Sequence, residues 1–409
     1  MIRLLKGQTW KYLQRATALS GGGLLATRRC EHLNENKGTF PTVCKLLDQQ
    51  GCRIEIGGHT IRYHCTSAGE AGLQDSSPLE TLKFQRSVLL LEGADRYSFL
   101  QGLVTNDVEQ LMPSEEGKSV HSCIYSLLLN PKGRFLHDMF IYNVGNEMEN
   151  ALLLDVDLSS LKEVMKLLNR YRLRSKVKIK DVSDQYSVLS SAEDKVDETV
   201  LDTVSGIHAF KDPRHSLLGY RLLVEDSDTS KDYLAMPEEN KIPVNYTRLR
   251  FELGIPEGDA EIPSGKAIPL EYNMDSLNSI SFTKGCYMGQ ELTARTHFQG
   301  LIRKRLIPIT ISADENIMAA ISEFFQNAKT SDMGEGALEI IDLPKKKKVG
   351  NMIAAYGNKA FALLRLKGLQ EKELGLRQKK KSGETEVLPA RIEVQVPEWW
   401  PEEWHNSPE

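Results

Sequence analysis

The spacing of apolar residues changes along the chain, and the changes predict a mixed α+β protein. An amphipathic helix is indicated where apolar residues recur every three or four positions, at Leu158, Leu161, Met165 and Leu168. Ser160 and Glu163 have the spacing of a capping box for this helix. Shorter helices are predicted at residues 95–103 and 246–253. Apolar runs bounded by turn residues predict strands at residues 87–92, 123–129, 135–143, 151–156 and 177–182.

After Gly300 the pattern becomes strand-like. Five apolar runs separated by turn residues predict strands at residues 301–311, 336–341, 349–356, 360–366 and 390–396. Such a series predicts a small β-barrel over residues 301–400. The lysines from Lys345 to Lys348 lie between two of these strands and are predicted to form a solvated hairpin tip. Three tryptophans are predicted to cover a mouth of the barrel, namely Trp399, Trp400 and Trp404.

Composition and charge narrow the classes of protein that remain. The chain has 409 residues, of which 40% are hydrophobic and 26% charged, as in ordinary globular proteins of two or three domains. The net charge of -4 argues against a generally cationic nucleic-acid binder. The six cysteines are scattered and form no C-x-x-C pair, which favours a reducing compartment over a disulfide framework. No run is apolar for long enough to predict a membrane-spanning helix.

The first thirty residues have the composition of a mitochondrial transit peptide. They contain no acidic residue and six cations, namely Arg3, Lys6, Lys11, Arg15, Arg28 and Arg29. A basic tail without a targeting role is the alternative. Residues 31–83 are expected to be poorly ordered or removed, although residues 53–56 and 60–65 alternate like short strands. Folded structure is therefore expected to start near Phe84.

The chemistry is expected in the segment that surrounds Cys286. Gly285 and Gly289 allow backbone conformations that residues with a Cβ avoid, so they can raise the thiol out of the packed surface. Lys284, together with free N–H groups if a helix begins near Gln290, would stabilise the thiolate that binds metals. The alternative is that Cys286 is a small buried apolar residue.

Three separate motifs resemble one protein family. Residues 284–291 read K-G-C-Y-M-G-Q-E, residues 104–107 read V-T-N-D, and residues 248–256 read R-L-R-F-E-L-G-I-P. These motifs are similar to those of the YgfZ-type proteins, folate-binding relatives of the glycine-cleavage T-protein (GcvT), and of their mitochondrial branch. The resemblance implies support for Cys286 from Lys284, Gly285, Tyr287, Gly289, Gln290, Glu291 and Arg295.

The resemblance also implies an architecture. The family's fold is an α+β ring of three GcvT-like domains around a folate-sized channel. Here the expected domains are a folate-binding core at residues 84–134 and 240–300, a ferredoxin-like domain at residues 135–239, and the barrel at residues 301–400. Tetrahydrofolate is expected to be near Asn106, Asp138, Arg248 and Glu252, if it binds.

Three classes of function compete at this point. The resemblance implies an aspartate in the T-protein where this chain has Cys286, and His137–Asp138 replaces neighbouring carboxylates, so the aminomethyltransferase is the weaker alternative. Nucleic-acid binding is disfavoured because interleaved aromatic and basic residues are absent. The mitochondrial branch implies a non-catalytic factor that acts late in 4Fe–4S cluster assembly in the matrix.

The ligand count predicts how such a factor would work. A 2Fe–2S cluster usually takes four protein thiolates, and this chain presents one cysteine in a suitable segment. Cys286 is therefore expected to be one ligand of a cluster that is shared with a partner. The resemblance implies that the partner is an A-type iron–sulfur scaffold protein.

Overall fold

The residues that the structure, a computed structural model, describes are 16–20, 24–28, 52–56, 59–62, 80–82, 85–113, 122–145, 150–191, 206–226, 246–327, 338–367, 369, 372–379 and 384–405. The chain divides into two compact units, Met1–Gln74 and Asp75–Glu409. Of the described residues, none belongs to a helix that is both long and apolar enough to cross a membrane.

The first unit contains one antiparallel sheet. Its strands are β1 (Ala16–Ser20), β2 (Leu24–Arg28), β3 (Cys52–Ile56) and β4 (His59–Arg62), in the order β2-β1-β3-β4. The strand predicted at residues 53–56 is confirmed as β3, and the one predicted at residues 60–65 is confirmed as β4 up to Arg62, since residues 63–65 lie outside the described part. Residues 1–15 and 29–51 lie outside the described part, so the transit peptide stays a prediction.

The second unit contains two sheets and a barrel. Its first nine strands are β5 (Glu80–Thr81), β6 (Arg86–Glu92), β7 (Cys123–Leu129), β8 (Phe135–Tyr142), β9 (Ala151–Asp157), β10 (Lys178–Asp181), β11 (Tyr186–Ser191), β12 (Ile207–Lys211) and β13 (Tyr220–Glu225). The barrel strands are β14 (Lys304–Ser312), β15 (Leu338–Asp342), β16 (Lys347–Tyr356), β17 (Lys359–Arg365), β18 (Leu374–Lys379) and β19 (Thr385–Val394). The helices are α1 (Arg96–Gln101), α2 (Leu161–Arg172), α3 (Tyr246–Leu253), α4 (Gln290–Gln299), α5 (Glu315–Asn327) and α6 (Glu402–His405). Short 3-10 helices lie at Val108–Leu111, Leu158–Ser160, Ser216–Leu218 and Pro269–Tyr272.

The five-stranded antiparallel sheet β10-β6-β9-β8-β7 packs apolar side chains on both faces, and its edge strand β10 is largely exposed. Side chains alternate across a strand, and in β7 Tyr125 and Leu127 join one apolar cluster while Ile124 and Leu128 join another. The second cluster is closed by α2, whose Leu161 faces inwards with Val164 and Leu168. The strands predicted for this sheet by the sequence pattern are thus confirmed.

The other sheet and the barrel complete the unit. The second sheet has the order β12-β13-β11-β5, and the barrel closes in the order β14-β17-β16-β15-β18-β19. The predicted terminal barrel is confirmed. Trp400 is buried in its core, and Trp399 and Trp404 pack against that core; that they cover a mouth of the barrel stays a prediction. Lys345 in the turn before β16 and Lys347 at the start of that strand are exposed, which confirms the solvated hairpin tip.

Several sequence predictions need correction. Folded structure starts before Phe84, because Leu82 is fully buried and its N–H donates to the carbonyl of Val188. The region after Gly300 is not all-β, since α5 lies between β14 and β15. The capping box at Ser160 does not form; instead Asp157 accepts a hydrogen bond from the N–H of Ser159.

The predicted domain division stays a prediction. The β7–β8 hairpin lies across its boundary at residue 134. Residues 135–239 contribute β8, β9, α2 and β10 to the first sheet, and β11, β12 and β13 to the second.

Candidate functional site

Cys286 lies on an exposed loop that immediately precedes helix α4. Gly285 is also exposed, and a Cβ placed on it would meet nothing within 4 Å. The thiol is therefore accessible, and the alternative of a buried apolar cysteine is wrong for Cys286. Cys123 is the contrasting case, since burial raises the pKa of its thiol well above the usual value.

Two glycines allow the cysteine loop to pack closely against the turn of the β7–β8 hairpin. Gly289 has φ +79°, and a Cβ there would lie 2.5 Å from the carbonyl oxygen of Asn130. Gly133, in the turn, has φ +73°, and its Cβ would lie 2.9 Å from the carbonyl oxygen of Gly289. Because both contacts are backbone to backbone, neither position has room for a side chain.

Lys284 has a structural role that differs from the predicted stabilisation of the thiolate. Its ammonium group donates to the carbonyl oxygens of Val104, at 2.9 Å, and Asn106, at 2.7 Å. Burial lowers the pKa of Lys284 to about 8. The amine is thus committed to the Val104–Asn106 turn, and it anchors the loop rather than serving as a free counter-ion for the thiolate.

The two motifs that the sequence analysis found far apart form one structural unit. The N–H of Ser281 donates to the carbonyl of Thr105, and the hydroxyl of Thr105 donates to the carbonyl of Ser279 at 2.6 Å. The N–H of Met288 donates to the carbonyl of Gly102. These bonds hold the loop at both ends, so the exposed Cys286 is carried on a fixed backbone.

The other motif residues flank the loop. Tyr287 is buried, and burial raises the pKa of its phenol to about 12. Helix α4 begins at Gln290, as predicted, and Gly289 occupies its N-cap position. Glu291 and Arg295 are exposed and four residues apart, so they project from one side of α4 beside the loop.

An aromatic stack, which the sequence analysis missed, joins the loop to α4. The rings of Phe282 and His297 are nearly parallel, with centroids 3.6 Å apart, and Phe298 packs edge-on against both. Residues 282 and 297 share no periodic pattern, so only the turn at Gly289 brings them together. The stack further restrains the segment that carries Cys286.

The predicted folate residues Asn106 and Asp138 have their polar groups occupied. The amide of Asn106 donates to the carbonyls of Tyr125 and Asn278. The carboxylate of Asp138 is fully buried and accepts from Arg86, the hydroxyl of Tyr125 and the N–H of Gly258. Both side chains therefore already make several hydrogen bonds within the protein.

Arg248 and Glu252 lie elsewhere, on the exposed side of α3. They form an ion pair of 2.9 Å with each other, four residues apart on the helix. Both side chains are largely in water, where such a pair contributes little. The four predicted folate residues therefore do not share one environment.

The sequence analysis also missed a buried network of charged residues around Asp138. Its members are at most 7% exposed and are Arg86, Asp138, Asp155, Asp212, Arg214, Arg221 and Glu257. Arg221 lies over the ring of Phe140, with 3.7 Å between guanidinium carbon and ring centroid. Burial alone would raise the pKa of Glu257, but the guanidinium groups of Arg221 and Arg214 hold it well below its usual value. No spacing rule connects these residues in the sequence.

His137 lies beside this network rather than in it. Its Nδ1 atom is 3.0 Å from a carboxylate oxygen of Asp259. Burial raises the pKa of Asp259, partly offset by the hydrogen bond from His137. The pair fixes the segment after α3 against strand β8.

The described residues contain no group of three or more His, Cys, Asp or Glu side chains that could hold a metal ion. Two surface depressions, of about 430 and 720 Å³, surround Leu173 and Arg174 and contain none of the predicted site residues. Within this part of the chain, Cys286 is an exposed thiol that could supply one thiolate ligand.

Comparisons with known proteins give consistent matches. A family model described as the CAF17 C-terminal β-barrel domain matches residues 303–402. A mouse protein (Mus musculus) named iron–sulfur cluster assembly factor IBA57, mitochondrial, is 30% identical over 83% of this chain and 91% of its own length. The human protein (Homo sapiens) of the same name is 33% identical over 77% of this chain and 83% of its own length.

Two further matches are more limited. A homologue from Dictyostelium discoideum is 36% identical over 58% of this chain, and the match spans 64% of that protein. The glycine cleavage system aminomethyltransferase T of Bartonella henselae has a similar structure, with a TM-score of 0.54 at 12% identity, over 79% of this chain and 86% of that one. The latter likeness confirms the expected GcvT-like fold and carries no further information on function.

Proposed function

The chain belongs to the family of the mitochondrial iron–sulfur cluster assembly factor IBA57, and from this premise we propose that it is a non-catalytic factor for 4Fe–4S cluster maturation in the matrix. The relatives are named as mitochondrial proteins, and the chain is a mitochondrial protein. The family agrees with the one that the motifs around Cys286 resemble.

One observation carries the proposal. Cys286 is exposed on a loop whose backbone is fixed by Gly289, by Lys284 and by the stack of Phe282 on His297. A thiolate that must meet a cluster on another protein needs to be accessible and held in one place. Because Lys284 and Tyr287 pack against the rest of the protein while Cys286 is exposed, the side of the loop that carries Cys286 is available for contact with a partner.

The ligand count supports a shared cluster. A 2Fe–2S cluster takes four ligands, usually thiolates, and in the described residues Cys286 stands apart from any group of metal-binding side chains. A small A-type scaffold protein with its own cysteines would provide the remaining ligands. The cluster is then cargo that passes through the complex, and Cys286 holds it at the interface.

The test is spectroscopic. Visible absorption and EPR spectra are recorded for the chain mixed with an A-type scaffold protein under cluster-forming conditions, for the native protein and for Cys286→Ser. We expect the substitution to remove the shared chromophore and to leave the thermal transition unchanged, because an exposed thiol contributes little packing. Cys123→Ala is the matched control and should keep the chromophore. A chromophore that survives Cys286→Ser would refute the proposal.

The second candidate is a folate-dependent aminomethyltransferase, which the T-protein-like fold favours. Asp138 and Asn106 already make hydrogen bonds within the protein, so no catalytic step is assigned to them. Incubation with tetrahydrofolate and an aminomethylated carrier protein should give no methylene-tetrahydrofolate. Its production, with loss in Asp138→Asn, would favour the enzyme.

A further inference from the structure

A strongly basic segment lies on the surface of the five-stranded sheet and is not used by the proposed function. Residues 161–180 contain one acidic residue, Glu163, although the whole chain has a net charge of -4. The same residues contain eight cations, namely Lys162, Lys166, Arg170, Arg172, Arg174, Lys176, Lys178 and Lys180, all of them exposed. Positive charge is therefore concentrated in this segment, and residues 161–180 are called the basic ridge below.

The basic ridge is continuous from helix α2 into the loop after it. Lys162, Lys166 and Arg170 are four residues apart, so they share one face of α2, away from the buried Leu161 and Leu168. Arg172 and Arg174 continue the charge into the loop. This geometry presents a broad cationic surface rather than isolated charges.

Most of these charges have no ion-pair partner among the residues that the structure describes. Lys180 pairs with Glu92 at 2.9 Å. By contrast, Arg172, Arg174 and Lys176 make no side-chain ion pair with any residue that the structure describes. Like charges held close together repel each other, so their arrangement costs stability unless an anionic surface balances it.

Leu173 projects from the centre of the loop. It is 86% exposed, the most exposed large apolar side chain in the described part of the chain. Its backbone has φ 43° and ψ -107°, a conformation that residues with a Cβ rarely adopt. Both the exposure and the backbone conformation are unfavourable for a leucine.

The loop is held in this conformation by close contacts. The N–H of Lys176 donates to the carboxylate of Asp95 at 2.7 Å, and the N–H of Ser175 donates to the carbonyl of Arg172. A Cβ on Gly93 would lie 2.0 Å from the carbonyl oxygen of Lys176, so Gly93 lets the loop approach the sheet closely. A strained residue that its surroundings enforce is a reason to look for a function.

We propose that the basic ridge binds the surface of an anionic phospholipid bilayer, with Leu173 inserted between the headgroups. Clustered lysines and arginines attract anionic lipids, and an apolar side chain among them adds hydrophobic anchoring. Protection of an edge strand accounts for Lys178 and Lys180 on β10, but it does not account for Arg172 at the end of α2 or for Leu173 and Arg174 in the loop after it.

The side chains present favour lipid over other polyanions. Single-stranded nucleic acid is bound by exposed aromatic platforms, and the ridge has one aromatic residue, the half-buried Tyr171. A protein interface needs a cluster of apolar anchors at its centre, and here Leu173 is alone at the tip. A single exposed leucine between two arginines is suited to insertion into a lipid surface.

The test is co-sedimentation of the full chain with vesicles of phosphatidylcholine and with vesicles that contain about one third phosphatidylglycerol. We expect binding to the anionic vesicles only, weakened at least about tenfold by the pair Arg172→Glu and Arg174→Glu. The matched pair Lys345→Glu and Lys347→Glu, at the barrel hairpin, should bind within about twofold of the native chain. The basic first thirty residues are present in every variant and cannot produce this difference.

Leu173→Gly separates function from fold. Glycine adopts φ 43° without strain, so the variant should melt at a higher temperature while it binds the anionic vesicles several times more weakly. Leu217→Gly is the control, because Leu217 is also an exposed leucine and lies outside the ridge. Fluorescence anisotropy with a single-stranded RNA completes the test. Unchanged vesicle binding in the arginine pair, or RNA binding without vesicle binding, would overturn the proposal.

Discussion

The ammonium group of Lys284 donates a hydrogen bond of 2.7 Å to the carbonyl oxygen of Asn106, so two motifs that lie far apart in the sequence are joined at one atom pair. The bond brings residues of both motifs into one site. Residues 104–107 form the base on which the cysteine loop rests, and Lys284 fixes the loop to it. The site is therefore a property of the pair of motifs, and substitutions in either should affect it.

Lys284 should make stability depend on pH. Burial lowers its pKa to about 8 from the usual 10.5, so between these values the unfolded chain binds the proton that the folded chain has lost. Above the unfolded pKa of 10.5 the buried amine is neutral in both states and does not lower the free energy of unfolding. As pH falls through about 8 the amine becomes charged in the folded chain as well, and the destabilisation from its burial is then complete. We expect the melting temperature of the native chain, relative to Lys284→Met, to rise between about pH 7 and about pH 10. Lys132→Met, at an exposed position, is the control, and parallel profiles for all three proteins would contradict the prediction.

Gly289→Ala should destabilise the loop strongly. The new Cβ would lie 2.5 Å from the carbonyl oxygen of Asn130, and φ is +79°, so a loss of about 1–3 kcal/mol is expected from urea unfolding. Gly285→Ala is the matched control because nothing lies near its Cβ, and its effect should stay within about 0.5 kcal/mol. Equal effects at the two glycines would show that the packing on Asn130 does not matter.

Asp138→Ala should act on stability. The substitution leaves the guanidinium group of Arg86 without one of its buried carboxylate partners, and removing one member of a buried pair costs about 3–5 kcal/mol. The measurement is urea unfolding, with Glu252→Ala, at an exposed pair, expected to cost at most about 1 kcal/mol. If Asp138→Ala unfolded like the native chain but lost folate binding, Asp138 would be a ligand-binding residue instead.

Removal of residues 1–83 should lower stability more than removal of residues 1–75. The longer deletion takes away β5 and the fully buried Leu82, and burial of one leucine contributes about 1.5–3 kcal/mol. Thermal melts of the two shortened chains give the comparison. The same melting temperature for both would place the start of the folded unit after Leu82.

The strands and the principal helices follow from the sequence because each depends on its own residues. Tyr246–Leu253 was predicted within its observed bounds, since the apolar period ends at Gly254, which has φ +76°. Helix α5 was missed, although its apolar positions include Ile317 and Ile321, because the surrounding runs suggested an unbroken series of strands. The strand-like patterns before and after α5 led to the prediction that this segment was also part of an all-β region.

Pairwise relationships in the site could not be predicted in the same way. The sequence identifies Lys284 and Asn106 as polar members of two motifs, but it does not indicate that one donates to the carbonyl of the other. The buried position of Arg86 was also not predictable, since an arginine at the start of a strand is ordinarily exposed. Such contacts depend on the packing of distant segments, which no local pattern records.

The buried charge network sets the order in which this unit can fold. Arg86 lies in β6, Asp155 in β9 and Arg221 in β13, and Glu257 follows α3, so the network draws on segments far apart in the sequence. None of these groups can leave water cheaply before its partners arrive. A chain that lacks residue 257 would leave Arg214 and Arg221 without one of their buried carboxylate partners, so we expect the two sheets to close on each other late and cooperatively.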